Sequence, residues 1–282
     1  MTKTAKRKSD AGTRVEEHED EERFLERYRP GTYARPSVTV DLVVFTVIDK
    51  LLHVLLVRRS EHPFKGHWAL PGGFVRVSDD RTDQGEDLDT AAHRELLEET
   101  GLSNTASASV FLEQVRTFGK PGRDPRMRVI SVAYYALVRP TLVPLIRAGG
   151  DVSDAKWFDV AELVTEPHAA RTGPAGRVTK KARTELAFDH ADIIDAALER
   201  MRADLDRTPI GFELVPETFT IQELRAVHEA IRGEPLDPGN FRKRFLRLLD
   251  DGVIEPARGK RPTASKPASV YRFVRGPVRD VQ

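Results

Sequence analysis

The stretch Arg94-Glu95-Leu96-Leu97-Glu98-Glu99-Thr100-Gly101-Leu102 closes a run of helical spacing that begins at Leu88, and it is preceded by Gly72-Gly73-Phe74 and by Glu86. The spacing predicts a helix from Leu88 to Glu99 that stops at Gly101, because glycine accepts the left-handed conformation that commonly ends helices. Glu95, Glu98 and Glu99 stand at i, i+3 and i+4 and therefore share one face of that helix. Carboxylates crowded in this way repel one another. Two readings follow: a solvated acidic face, which charge runs usually are, or a cation bound among the three. Hard oxygen donors select Mg2+ or Mn2+, and Mg2+ keeps waters and combines a few carboxylates with substrate phosphates. Arg94 is placed to pair with a neighbouring carboxylate and orient it.

On either side of this helix the pattern changes to short β-branched, apolar runs. Val38 to Ile48 and Leu51 to Val57, joined at Asp49-Lys50, are expected to form a buried strand pair. Trp68 to Leu70, Ser107 to Val115, Val129 to Val138 and Ala155 to Phe158 are further predicted strands. Strands interspersed with helices define an α/β domain. Thr165 to Thr179 is polar and rich in Gly, Pro and Ala, and is expected to be a surface loop. A second helix is predicted from His190 to Leu205, where Ile193, Ile194, Ala197 and Met201 recur at helical spacing, with a domain boundary near Thr208 to Val215.

The pattern of Gly73, Glu86, Arg94-Glu95, an aliphatic, Glu98-Glu99 and Gly101-Leu102 closely resembles the box of the Nudix hydrolase superfamily. Its second half matches without exception. Between Gly73 and Glu86 lie twelve residues where the box has five, so a polar segment around Ser78 to Gln84 looks inserted, with Gly85 kept before the glutamate. Asp79, Asp80 and Asp83 within it are either solvated or able to reach a metal. The resemblance implies an α/β/α sandwich around a mixed sheet, with Glu95, Glu98, Glu99 and Gly73 at a Mg2+ or Mn2+ site. It also implies Arg94, Glu95, Glu98 and Glu99 as catalytic residues, Glu86 as a supporting carboxylate, and attack of an activated water on a diphosphate. The segment Arg123-Asp124-Pro125-Arg126-Met127-Arg128 to Tyr134 looks like that of relatives handling ADP-ribose, which would yield AMP and ribose 5-phosphate. On that likeness Arg126 and Arg128 become candidate phosphate contacts, with Arg58 and Arg59, since guanidinium donates in a planar fork. Phe118 is a candidate for stacking on adenine.

At 282 residues with 39% hydrophobic content the chain is long enough for more than one domain. It has no cysteine, which excludes disulfides and thiolate zinc sites and agrees with a reducing cytoplasm. No apolar run reaches the roughly 20 residues of a membrane span, and the polar N-terminus lacks a secretory core. Residues 1–35 open with Lys3, Lys6, Arg7 and Lys8 before an acidic cluster at 16–22, and are expected to be a disordered charged tail. The net charge of +1 conceals an asymmetry: residues 240–275 carry ten basic and three acidic groups, or +7, leaving −6 for the rest. A basic end on an acidic chain points to a polyanionic partner.

That end has its own architecture. Thr220 and Glu223 form a predicted capping box, Gly233 stops the helix, and Asp237 is placed to cap a second one. In the second helix Phe241, Phe245, Leu248 and Leu249 make the apolar stripe, leaving Asn240, Arg242, Lys243, Arg244 and Arg247 for other faces. Two short helices, the second basic, form a helix-turn-helix pattern whose second helix would enter a major groove. Val253 to Pro256 and Ser269 to Phe273 read as strands flanking a basic wing with Arg258, Lys260 and Arg261. On periodicity alone, a helical accessory domain with a solvated basic face explains the pattern equally well. The order of segments from Phe212 to Phe219 and from Leu236 to Arg242, with Ala187-Phe188-Asp189-His190 as the linker entry, resembles the winged helix of the Nudix-related transcriptional regulators, the NrtR family. Asp189-His190 could be a catalytic dyad, or a helix cap beside a packed histidine. The resemblance implies a Nudix domain at 36–185, a linker helix at 186–210, a winged helix at 211–276 and a tail at 277–282. It further implies a cytoplasmic homodimeric repressor on a palindromic double-stranded operator, sensing ADP-ribose or a related nucleotide and controlling NAD or sugar genes. A Mg2+-dependent ADP-ribose pyrophosphatase is the alternative, and both activities in one chain are a third reading.

Overall fold

The computed structural model describes residues 21, 23–78, 84–102, 110–146, 152–163, 186–263 and 266–274. The expected loop Thr165 to Thr179, the aspartates at 79, 80 and 83, and the start of the strand predicted from Ser107 lie outside them. The chain divides into two compact units, Met1–Pro36 and Ser37–Gln282. In the first, residues 23–27 are helical and a 3-10 turn covers Pro30–Thr32, so the expectation of disorder through residue 35 does not hold for this part. Phe24 and Tyr28, at i and i+4, bring their rings to 5.6 Å, and the Tyr28 and Tyr33 rings stack at 6.5 Å. These aromatic pairs supply packing that the charged run before them lacks.

The second unit is built on a mixed sheet. Strands β1 (Ser37–Ile48) and β2 (Leu51–Arg59) form a hairpin whose turn residues Asp49 and Lys50 both have positive φ, as a two-residue turn between twisted strands demands. The short strands β3 (Trp68–Ala69) and β4 (Gly72–Phe74) pair with β2 and β1. After helix α1 (Leu88–Thr100), β5 (Phe111–Phe118) pairs with β6 (Val129–Leu137), which lies parallel to β1 from Ser37↔Val129 to Phe45↔Leu137. Strand β7 (Val152–Asp159) covers the outer side of β2. Strand β1 is apolar on both faces, apart from Asp41 and its threonines, because both its faces are covered. Val40, Leu42 and Val44 pack with Ala92 and Leu96 of α1, whereas Val43, Phe45 and Val47 pack with Ile193, Ala197 and Met201 of helix α2 (His190–Asp204). The result is the expected α/β/α sandwich.

Helix α2 is more than a spacer. Its predicted apolar positions Ile193, Ile194, Ala197 and Met201 are at most 1% exposed. The apolar cluster they belong to continues through Leu205, Phe212 and Phe219 into helices α3 (Ile221–Arg232) and α4 (Pro238–Asp250) by way of Leu224 and Phe245. The boundary expected near Thr208 to Val215 is therefore bridged by continuous packing. A hairpin of β8 (Ile254–Arg261) and β9 (Ala268–Phe273) completes the C-terminal module. Arg258, Lys260 and Arg261, expected in a wing loop, lie in β8, which extends five residues past Pro256.

Candidate ligand cleft and nucleic-acid interface

Helix α1 starts and stops as its sequence requires. Asp87 accepts from Asp89 N at 3.2 Å, and Gly101 ends the helix at φ 65° with its N–H on Leu97 O. Arg94 is the hub of its acidic face. Its Nε and Nη2 donate to the two oxygens of Glu86 at 2.9 and 2.5 Å, Nη1 donates to Glu95 at 2.6 Å and to Glu98 at 3.0 Å, and Nη2 also reaches Phe74 O at 3.1 Å. Hydrogen bonding to Arg94 holds the Glu86 carboxyl down at about 2, whereas burial pushes Glu95 up despite the same guanidinium. The solvated-face reading fails for Glu95, which is 7% exposed, but describes Glu98, which is turned outward toward Arg76 and Arg94.

The long spacing between Gly73 and Glu86 is absorbed locally. Ser78 N donates to Gln84 O at 3.2 Å, Val77 bridges to Gly85, and Arg76 and Glu86 exchange bonds through Glu86 N to Arg76 O and Arg76 N to Glu86 Oε1. The backbone is thus joined between Arg76–Ser78 and Gln84–Glu86, and Glu86 still arrives at Arg94. Gly85 has φ 113°, and a Cβ there would lie 2.2 Å from Arg76 O, so glycine is required at this join.

Among the described residues no three carboxylate or imidazole groups converge as a ready-made cation cage. What suits a divalent cation is a smaller set. Among the described residues Glu99 Oε2 accepts one long bond, 3.3 Å, from Gly72 N, and desolvation together with nearby Glu95 lifts its carboxyl to about 8, the condition of a half-buried carboxylate short of positive charge. A Cβ on Gly73 would lie 2.2 Å from Glu95 Oε1, so the backbone there is pressed against the second carboxylate. One or two carboxylates are what Mg2+ commonly takes from a protein when phosphates and waters complete its shell.

Beside these groups opens a cleft of about 160 Å³. Of the residues expected to hold a ligand, Arg59 and Arg126 line it. Arg59 lies over the Phe188 ring at 5.0 Å and donates to Pro63 O at 2.7 Å, and burial followed by the nearby Arg126 charge lowers its pKa. Arg126 sits 5.4 Å over the Phe74 ring and pairs with Asp124 at 2.7 Å. Arg58 is not in the cleft: strand alternation sends it to the other face, where it donates to Gly66 O at 3.1 Å. Arg128 is exposed and also outside the lining. Phe118 is a correction to the stacking expectation, since it is 9% exposed, lies under the Arg116 guanidinium at 4.7 Å, and borders a separate acidic hollow with Asp192 and Glu199. The cleft also holds Asp41, Arg123, Phe188 and His190, none of which was singled out as a ligand residue. The signal available was a charged residue, Asp41, inside an otherwise apolar run. His190 is packed rather than catalytic in placement, and Asp189 stands at the α2 N-cap position without making a cap bond.

In the C-terminal module the predicted capping is present. Thr220 and Glu223 form both bonds of the box, Gly233 takes φ 76°, and Asp237 accepts from Asn240 N at 2.7 Å. Phe241 and Phe245 are buried, while Asn240, Arg242, Lys243 and Arg247 are exposed along α4, and Arg258 and Lys260 along β8. Two of the expected DNA-contacting cations have intramolecular partners. Arg244 donates to Asp206 at 2.9 Å, and Arg261 donates to Thr218 O at 2.6 Å beside Glu223 at 3.3 Å. Among the described residues no helix is long and apolar enough to cross a membrane.

Comparison with known proteins agrees with this geometry. The NUDIX domain family model matches residues 36–179, and that of the NrtR DNA-binding winged helix domain matches residues 211–273. The ADPR responsive transcriptional repressor of Acinetobacter baylyi is 33% identical over 90% of this chain and 88% of its own length. The ADP-ribose pyrophosphatase of Methanocaldococcus jannaschii is 33% identical over 61% of this chain and 78% of its own. The crystal structure of Shewanella oneidensis NrtR complexed with a 27mer DNA superposes with a TM-score of 0.63, at 31% identity, covering 84% of this chain and 93% of that one.

Proposed function

Because the chain belongs to the NrtR family of Nudix-related regulators, we propose that it is a DNA-binding transcriptional repressor whose Nudix cleft senses ADP-ribose or a closely related nucleoside diphosphate sugar. The observation that carries this reading is the row of exposed cations on α4 and β8, set on the same apolar cluster as the helix that packs against the cleft's sheet. Arg59, Arg123 and Arg126 suit a diphosphate, and Phe74 or Phe188 offers an aromatic face. Genes of NAD or sugar metabolism are the proposed targets. A cytoplasmic homodimer on a palindromic site is the proposed state, because two helix-turn-helix modules related by a twofold axis read two half-sites. The deciding experiment is a DNA-binding titration against the chain's own upstream region, with and without ADP-ribose and Mg2+. Binding that ADP-ribose releases supports the reading, and binding indifferent to ADP-ribose overturns the sensor.

Slow hydrolysis of ADP-ribose to AMP and ribose 5-phosphate is a second reading, favoured by the retention of Glu95 and Glu98 around Arg94 and of Glu99 beside Glu95. Glu99, with Glu95 and the Gly73 backbone beside it, would hold Mg2+ or Mn2+. When bound, that ion neutralises charge developing on phosphoryl oxygens and lowers the pKa of its water. Arg94 orients Glu95 and Glu86, and the setting of buried Glu95 and half-buried Glu99 limits water around the reacting group. Glu99→Gln should reduce AMP release, measured chromatographically with Mg2+ present, by at least about 100-fold, the scale of losing one electrostatic contact to the transition state. It should leave DNA binding intact. AMP release at the parent rate would remove Glu99 from the catalytic set.

A further inference from the structure

The linker forms one wall of the ligand cleft. Ala187 N donates to Trp68 O at 2.8 Å, which brings Phe188 and His190 against the cleft, while Asp189 between them borders the neighbouring hollow and meets the cleft through Arg123. Phe188 takes φ 53°, a left-handed conformation that a bulky side chain avoids unless its surroundings impose it. Its ring is held by Phe64 at 4.8 Å, His190 at 5.2 Å and the Arg59 guanidinium at 5.0 Å. Asp189, free of capping duty, directs its carboxylate to Arg123, with Oδ2 accepting from Nε at 2.9 Å and Oδ1 from Nη2 at 2.6 Å. The same Nη2 reaches Asp41 Oδ2 at 3.2 Å, and the Arg123 side chain is only 4% exposed.

The charge balance of this cluster matters for a ligand. Leu70 N donates to His190 Nδ1 at 2.8 Å, which leaves the ring proton on Nε2, 3.7 Å from Asp41 Oδ1, and burial lowers the His190 pKa, favouring the neutral ring. One guanidinium thus stands between two carboxylates beside an uncharged ring, a net negative cluster at the edge of a cleft proposed to admit a diphosphate, so the Arg123 charge is already taken up by Asp41 and Asp189. Asp41 is anchored in the central strand and also accepts the Ser131 hydroxyl. Asp189 follows the left-handed Phe188 and has no comparable anchor in the sheet. At the far end of α2, Arg202 Nε donates to Ile231 O at 2.9 Å, and just beyond the helix Asp206 holds both Arg232 at 2.6 Å and Arg244 at 2.9 Å. The helix is about 22 Å long at 1.5 Å per residue and spans the distance between these two seats.

We infer that Asp189 competes with the ligand's phosphate for the Arg123 guanidinium, so that ligand entry expels Asp189, relaxes the Phe188 turn, and loosens the start of α2, which seats the winged helix. This rests on the ligand reading above and adds to it the residue through which occupancy is transmitted.

The test uses the full chain, with ADP-ribose and Mg2+ as the probe. By calorimetry Asp189→Asn should bind ADP-ribose roughly fivefold more tightly than the parent, the factor of about 1 kcal/mol. A merely structural role for Asp189 would weaken binding instead. By hydrogen exchange, amides of the first turn of α2 should lose protection when the parent binds ADP-ribose, and should be unprotected in the variant without ligand. Equal or weaker binding by a variant that melts like the parent overturns the proposal. If the variant fails to fold, unchanged α2 protection in the ligand-bound parent overturns it alone. Failure of the parent to bind ADP-ribose at all overturns the underlying ligand reading as well, so the two failures are told apart.

Discussion

An Arg94→Ala variant should be destabilised by about 3 kcal/mol, because removing one member of a buried ion cluster strands the others. For a chain of this size that corresponds to a fall of roughly 6–12 °C in Tm. Arg94 is 15% exposed, and it is bonded to Glu86 at 11% and Glu95 at 9% exposure, so water compensates little for its loss. Lysine cannot replace it, since a single ammonium lacks the planar fork that reaches Glu86, Glu95, Glu98 and Phe74 O together. The defect has a pH signature. The folded value of Glu86 is depressed to about 2 by Arg94, so its contribution is full above its ordinary value of 4.5 and lost as pH falls from there toward about 2. Glu95 is raised by burial and partly restrained by Arg94, so without the guanidinium its protonated form is favoured further and the variant gains stability as pH falls. Both effects narrow the gap between parent and variant in acid. Thermal unfolding followed by circular dichroism at pH 7 and pH 4 measures it, and a parent-like Tm at pH 7 would show that the cluster is not held by Arg94.

Replacing Lys243 and Arg247 together by alanine should weaken duplex binding roughly 10- to 30-fold near physiological salt. Both side chains are exposed on α4, and neither is needed for the Phe241 and Phe245 packing beneath. The logarithmic salt slope should fall by about 1.8, since each neutralised phosphate contributes about 0.9. ADP-ribose affinity, measured by calorimetry, should not change, because neither residue touches the cleft. A titration of labelled duplex across a salt series distinguishes the outcomes. An unchanged slope would remove α4 from the phosphate contacts and leave the wing strand, with Arg258 and Lys260, to account for them.

Much of this molecule was legible where the physics is local. The α1 stop at Gly101, the capping box at Thr220 and Glu223, and the Asp237 cap follow from backbone groups that must be satisfied within a few residues. The α2 face was legible because Ile193, Ile194, Ala197 and Met201 repeat at the helical period. The strand assignments held as elements, with ends displaced: β2 and β5 run on to Arg59 and Phe118. The ligand residues were read less well, because a side chain's destination depends on which face of the sheet it leaves. Arg58 and Arg59 are chemically equal neighbours, yet only Arg59 enters the cleft. Phe118 was plausible as an aromatic and is instead packed into the core margin under Arg116.

What the sequence by itself determined is therefore the inventory and its period: the glutamates on one helix face, the apolar run that needs cover on both sides, and the basic helix with its caps. Each depends on spacing along one element, which the chain carries as written. Only the tertiary structure decided that Asp41, Arg123, Asp189 and His190, from positions up to 149 residues apart, meet in one charged cluster, and that the linker helix is part of the core. The same is true of Arg244 and Arg261, whose charge is written in the sequence but whose partners, Asp206 and Glu223, are supplied by packing. A charge acts over a few ångströms of space, and separation along the chain places no limit on which charges the fold brings together.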